Sequence, residues 1–284
     1  METKLEQQTR DVFFNMLKRL GAYLEEPTGP RPGTSPAVSP MVSVIIPVFN
    51  RESFIGQAIA SVLSGNYDDF EIIVIDNGSS DGTIERVESY ARQDRRVHLV
   101  KNRKNVIAYS LNLGIKAARG KYIAQLDSDD QYTRETLTEM VDYLENHPHC
   151  GLAISYYELM DEKGQILQQA GVIKHLDYSR NNILRKDGAG AVRVWRRSVL
   201  LEFGGFDENE FGNYGEDYDM ILKVSEKYEI GRVHQVLYRY RRHRGNTDQV
   251  RNYYYKLRTK TLARMYAIER RIKQDKNKKN QNSK

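Results

Sequence analysis

The chain has 284 residues, 39% of them hydrophobic and 29% charged, the composition of a soluble globular protein long enough to bury a sizeable core. No apolar run approaches the ~20 residues that cross a bilayer, the opening METKLEQQTR lacks the apolar centre of a secretory signal, and the single cysteine, Cys150, excludes an intramolecular disulfide or a cysteine zinc cluster. The net charge of +6 is uneven: residues 249–284 carry 12 Lys or Arg against 2 acids, a net of +10, which leaves −4 for the rest. A basic tail on a mildly acidic body argues against nucleic acid as a partner, and the expected location is the cytoplasm.

Residues 1–25 place Phe13, Met16, Leu17, Leu20, Tyr23 and Leu24 at the three-and-four spacing of an amphipathic helix. Residues 26–40 hold five prolines and read as a linker. From Met41 the pattern changes to short β-branched runs: VSVIIPVF (42–49), EIIVID (71–76), VHLV (97–100) and KYIAQLD (121–127). Between them lie helix-length segments such as FIGQAIASVL and TIERVESYARQ, the second preceded by Asp81 as an N-cap. This alternation predicts a mainly parallel sheet flanked by helices, with its ligand site beyond the carboxyl ends of the strands. The second half is less regular, with strands expected at 151–160, 190–196 and 236–243. Past Val250, the residues Tyr254, Leu257, Thr261, Met265, Ile268 and Ile272 recur at helical spacing, and KQDKNKKNQNSK should be disordered.

Polar residues follow three of the strands: Asn50 and Arg51, Asp76 and Asn77, and the run Asp127-Ser128-Asp129-Asp130. In an extended chain residues two apart point the same way, so Asp127 and Asp129 can approach one ligand. Two carboxylates suit a hard divalent ion, Mg²⁺ or Mn²⁺; the alternative is a solvated acidic turn. In DNGSSDGT (76–83) neither familiar phosphate-loop pattern occurs; Asp76 either accepts the N–H of a base or belongs to a turn that caps the next helix. The loop GGFDENEFGNYGEDYDM (204–220) ends in Glu216-Asp217, a helix cap or a general base. In YRRHRGNTD (240–248), His243 stands among cations as a structural or exposed histidine, and Arg241, Arg242 and Arg244 are phosphate contacts or a solvated face.

Taken in order, VSVIIPVFNRESFIGQAIASVL, EIIVIDNGSSDGT, GKYIAQLDSDD, GGFDE, GEDYDM and YRRHRGN resemble the inverting glycosyltransferase family 2, over residues 41–248. The resemblance implies a GT-A fold, an α/β architecture with a nucleotide-sugar half (41–130), an acceptor half (131–248), and helical extensions at 1–25 and 249–284. It implies a UDP-sugar donor, with Pro47, Val48, Phe49 and Asn50 along the base and ribose and Asp76 and Asn77 at the base edge. It further implies Asp127 and Ser128 near the ribose and metal waters, Asp129 and His243 at Mn²⁺ or Mg²⁺, and Asp217 as the catalytic base. The acceptor would be a carbohydrate, a lipid-linked sugar or a protein, in cell-surface polysaccharide or glycoconjugate synthesis. KNVIAYSLNLG departs from the family pattern at Val106 and Leu111, so no contact is carried to it. The rival readings are a nucleotidyltransferase, which would release pyrophosphate, and a non-catalytic nucleotide- or membrane-binding module. The basic tail is a candidate for peripheral attachment to the inner face of the membrane, and the terminal helices for a homodimer contact.

Overall fold

Three of the β-branched runs, at 42–48, 70–76 and 122–125, form strands buried on both faces, which is why they read as continuous apolar stretches and not as alternation, while the run at 97–101 is a partly exposed edge strand. The computed structural model describes residues 39–174, 178–185, 190, 192–246 and 250–282; the helix expected over 1–25 and most of the 26–40 linker lie outside the described residues. In chain order the elements are β1 (Val42–Val48), α1 (Glu52–Leu63), β2 (Phe70–Asp76), α2 (Thr83–Gln93), β3 (Val97–Lys101), α3 (Ile107–Ala117), β4 (Tyr122–Gln125) and β5 (Gln131–Tyr132). There follow α4 (Thr136–Asn146), β6 (Cys150–Met160), β7 (Val172–Ile173), α5 (Asn182–Arg185), β8 (Arg193–Arg196), α6 (Arg197–Glu202), α7 (Glu216–Val224), β9 (Glu229–Arg241) and α8 (Tyr253–Asn282).

Among the described residues the strands join one sheet, ordered β3-β2-β1-β4-β8-β6-β9-β5, with β7 paired to β6. The first four are parallel, as the alternation predicts. Val44, Ile46 and Val74 pack with Ile55, Ile59 and Val62 of α1 on one face. Ile45, Ile73 and Ile75 meet Ala108, Leu111 and Ile115 of α3 on the other. Beyond β4 the sheet is mixed: β8 runs antiparallel to β4 and to β6, while β9 lies parallel to β6. Two reversals therefore restore the direction of β4, and the carboxyl ends of β1, β2, β4 and β9 reach the same edge. Because β8 is reversed, its first residue, Arg193, pairs with Gln125 at that edge.

Three local expectations are revised. Asp81 does not occupy the cap of α2, where Gly82 stands; from one residue further out it accepts the Thr83 N–H at 3.1 Å. The last strand begins at Glu229, well before residue 236, because its polar start pairs along the buried β6. The tail remains helical to Asn282, through the stretch expected to be disordered; Lys and Gln are good helix formers, and α8 is already nucleated against α7 upstream. Its contact stripe is Thr259, Ala263, Ala267 and Arg271, all buried. Small residues bring the backbones close: Gly215, at φ +82°, would place a Cβ 2.8 Å from Thr259 Cγ2.

Candidate active site

At the shared edge lies a cleft of about 470 Å³, lined by Pro47, Val48 and Phe49 from the end of β1 and by Asn77 after β2. Asp127, Ser128 and Asp129 after β4, with Arg193, Glu216 and Asp217, complete its floor and far side. Asn50 and Asp76 stand just behind this wall. Asn50, at φ +51°, donates its N–H to Ser79 Oγ at 2.9 Å and accepts the Ser80 N–H at 2.8 Å, bracing one loop with the other. Asp76 is buried, and its carboxylate accepts the N–H groups of Gly78 at 3.1 Å and Ser79 at 3.2 Å. The Asn77 side chain is held by Ser110 Oγ at 2.6 Å and Asn102 Nδ2 at 2.9 Å.

The three crowded carboxylates are separated by a turn, closed by the Asp130 N–H to the Asp127 carbonyl at 3.1 Å, and not by strand alternation. Each then meets a different environment. Asp130 is buried under Tyr238 Oη at 2.8 Å and the Arg241 N–H at 2.7 Å. Burial and its two acidic neighbours push it well above the usual carboxylate range. Its place explains why the end of β9 is pinned to this turn, for Arg241 also reaches the Asp129 carbonyl at 2.6 Å. Asp129 faces His243 Nε2 at 2.9 Å and Arg51 Nε at 3.2 Å. Burial alone would raise it, but the bond from His243 and the Arg51 guanidinium outweigh that and hold it low. Asp127 opens onto the cleft while protein walls surround its base; that burial pushes it up to about 6, against the pull of Arg193 and Arg51.

Asp217 sits in the first turn of α7, where the helix dipole favours an anion. One oxygen accepts the Tyr218 N–H at 2.7 Å and the other accepts from Arg193 Nη2 at 2.5 Å. Each oxygen keeps a second lone pair for a hydroxyl. Arg193 lies between two acids, and Asp217 and then Asp127 raise its pKa despite burial. Beside them Glu216 is pushed well above the carboxylate range, by burial and then by Asp217.

Asp129 Oδ2 and His243 Nε2 fit a divalent ion. Adjacent ligands of an octahedral ion with ~2.1 Å bonds stand about 3 Å apart, and these two are 2.9 Å apart. Arg51 would have to yield part of its hold on the same oxygen. Among the described residues no group of three His, Cys or acidic side chains gathers for a metal.

Sequence reasoning thus placed Pro47, Val48, Phe49, Asn77, Asp127, Ser128, Asp129, His243 and Asp217 in or against one cleft. It missed Arg193, the Asp130 anchor, and Arg251 and Lys260, which bring the C-terminal segment into the cleft wall. The one signal for Arg193 was a cation inside an otherwise apolar run, VRVW.

Comparison with known proteins agrees with this architecture. Residues 43–204 match the model of glycosyl transferase family 2, and the chain belongs to that family. An uncharacterised glycosyltransferase of Haemophilus influenzae is 30% identical over 228 residues, 75% of this chain and 69% of that protein. A putative teichuronic acid biosynthesis glycosyltransferase of Bacillus subtilis, TuaG, is 32% identical over 131 residues, 46% of this chain and 52% of its own. In fold, the chain is similar to S. aureus TarS in complex with UDP-GlcNAc, at TM-score 0.62 and 20% identity, covering 74% of this chain and 61% of TarS. It is also similar to a Pyrobaculum calidifontis mannosyltransferase in complex with GDP-Man and Mn²⁺, at TM-score 0.54 and 21% identity, covering 80% of this chain and 63% of that one. These are GT-A folds, as the motif order implies. Of several relatives the chain spans only about a third, 32% of a Rickettsia felis glycosyltransferase for instance.

Proposed function

We propose that this chain transfers a sugar from a nucleoside diphosphate sugar, UDP-linked, to an acceptor hydroxyl with inversion, in the assembly of a cell-surface polysaccharide or glycoconjugate. The observation that carries the reading is the acid set of one cleft: Asp217 at the start of α7 lines it together with Asp127 and Asp129 after β4, and His243, just past β9, bonds Asp129. A displacement with inversion needs both a group that meets the departing diphosphate and a base that acts on the opposite face of the sugar.

The residues take the following roles. Pro47, Val48 and Phe49 wall the nucleoside, and Asn50, Asp76 and Asn77 shape the loops at its base edge. Asp127 and Ser128 face the ribose and the diphosphate. Asp129 and His243 would hold Mn²⁺ or Mg²⁺, which when bound supplies positive charge to the departing diphosphate. Asp217 takes the proton of the attacking hydroxyl, and Arg193 keeps that carboxylate aimed into the cleft. The UDP preference is supported by the complex of the similar TarS fold. A role in polysaccharide synthesis is supported by the TuaG likeness.

The test is Asp217→Asn. The amide is isosteric but cannot take a proton, so transfer should fall by about a thousandfold or more while nucleotide affinity stays within about twofold of the parent. Transfer that survives in this variant would remove Asp217 from the role.

A further inference from the structure

One oxygen in the cleft has two claimants. Asp129 Oδ2 accepts from His243 Nε2 at 2.9 Å and from Arg51 Nε at 3.2 Å, and it is the oxygen that would ligate a divalent ion. An ion ~2.1 Å from it would stand no more than about 5 Å from the guanidinium, where like charges oppose each other. Arg51 cannot keep its hold beside that ion.

The rest of its grip is light. Nη1 donates to the Asn50 carbonyl at 3.1 Å and Nη2 to the Gly245 carbonyl at 3.1 Å. Gly245 is exposed, so water can replace that second bond at little cost. The Arg51 backbone is fixed independently: its N–H donates to Thr83 Oγ1 at 2.9 Å, and its carbonyl accepts the N–H groups of Phe54 and Ile55 at 2.9 Å in the first turn of α1. The side chain can therefore change partner without moving the loop. It lines the cleft beside Asp127, Ser128 and Gly245.

We propose that Arg51 is a donor-binding residue that exchanges partners: its guanidinium leaves Asp129 for the diphosphate of the nucleotide-sugar as the ion takes the carboxylate. This rests on the donor and the ion proposed for the cleft. A diphosphate that shares the ion must come close to Asp129, and Arg51 already lies within one hydrogen bond of that carboxylate. A planar guanidinium also suits two phosphate oxygens at once. Each ligand then removes an obstacle to the other. Without the nucleotide, the ion must displace a cation that has no anion to receive it; without the ion, moving Arg51 to the diphosphate strips Asp129 of a positive partner. Ion and nucleotide are thereby coupled through one side chain, and each raises the other's affinity by the same factor.

The test uses the full chain, with Mn²⁺ and UDP as probes, each alone and with the other. Mn²⁺ binding is followed by the paramagnetic resonance signal of the unbound ion, and UDP binding by calorimetry. Arg51→Met, which removes the charge, should bind Mn²⁺ alone about tenfold tighter than the parent, yet bind UDP in saturating Mn²⁺ about tenfold more weakly. A merely structural loss would weaken both, so the opposite signs identify the exchange. Arg51→Lys keeps the charge without the planar fork; it should bind Mn²⁺ alone as the parent does and lose only part of the UDP affinity.

Mn²⁺ affinity that is unchanged or weaker in Arg51→Met would overturn the proposal, as would UDP affinity unaltered in that variant. A parent that binds both ligands with neither strengthening the other would overturn it too, while leaving the donor and ion in place. A parent that binds neither would overturn the reading of the cleft and the exchange with it.

Discussion

Arg193 decides how the acids of the cleft coexist. Its guanidinium faces both Asp217 and Asp127, and Asp127 already stands at about 6 because of burial. Removing the cation withdraws the largest influence that lowers Asp127, so its pKa must rise further. Arg193→Ala should therefore weaken nucleotide binding at neutral pH and shift its pH profile to the alkaline side, where Asp127 is again ionised. Arg193→Lys, which keeps the charge but loses the planar fork, should preserve the binding profile and lower transfer. A pH titration of nucleotide affinity in the three proteins checks this, and an unshifted profile for Arg193→Ala would count against it. At this scale the sequence was informative where residue type alone limits the chemistry: Asp127, Asp129, His243 and Asp217 each follow a strand or open a helix. Arg193 was illegible because its role comes from an antiparallel pairing with Gln125, almost seventy residues earlier in the chain. Nor could a sequence show that Asp130, chemically identical to its neighbours, is turned inward to anchor β9.

Two junctions hold the elements that carry these residues. Glu71, at the start of β2, is buried, and it accepts Ser43 Oγ at 2.7 Å, the Arg119 N–H at 2.8 Å and the Arg119 guanidinium at 2.7 Å. Ser43 Oγ in turn receives the Gly120 N–H at 2.9 Å, so one carboxylate ties β1 and β2 to the turn that feeds β4. Burial would raise its pKa, but these partners together hold it below the usual range. A carboxylate with a depressed native pKa contributes stability above its unfolded pKa and loses that contribution as the pH falls through the native value. Glu71→Gln should thus cost about 2 kcal/mol at pH 7, with the difference from the parent shrinking in acid. Chemical denaturation at several pH values measures it.

The second junction is Gly215. An alanine there must adopt a left-handed backbone and press on Thr259, so Gly215→Ala should cost about 1–3 kcal/mol and loosen the start of α8. Hydrogen exchange over residues 253–260 would report the loosening. Strand runs with β-branched residues on both faces made the parallel half of the sheet readable. The apolar row of α8 was also readable, but not the side it faces, since Ala263 and Ala267 pack closely where larger residues would not fit.

For the whole molecule, the sheet acts as a plate that presents groups from distant parts of the chain at a single edge. Parallel strands deliver Pro47 to Phe49, Asn77 and the acidic turn, and two reversals bring in Arg193 and His243. The motif order made this architecture legible, whereas the mixed half had to be seen, because loops rich in Gly and Asn set no strand register. Charge follows the same division: a mildly acidic body holds the cleft, and a basic helix leaves it.

The proposed transfer requires a nucleoside diphosphate and a divalent ion to share that edge. The direct measurement is thermal stabilisation of the parent and of Asp129→Ala by a panel of nucleoside diphosphates, each with and without Mn²⁺. A ligand that binds only the native state raises the midpoint in proportion to occupancy. The parent should be stabilised by UDP more than by the other nucleotides, and more strongly with Mn²⁺ than without, while Asp129→Ala should lose the metal-dependent part. Equal midpoints with and without the ion for every nucleotide, or a full response in Asp129→Ala, would contradict it.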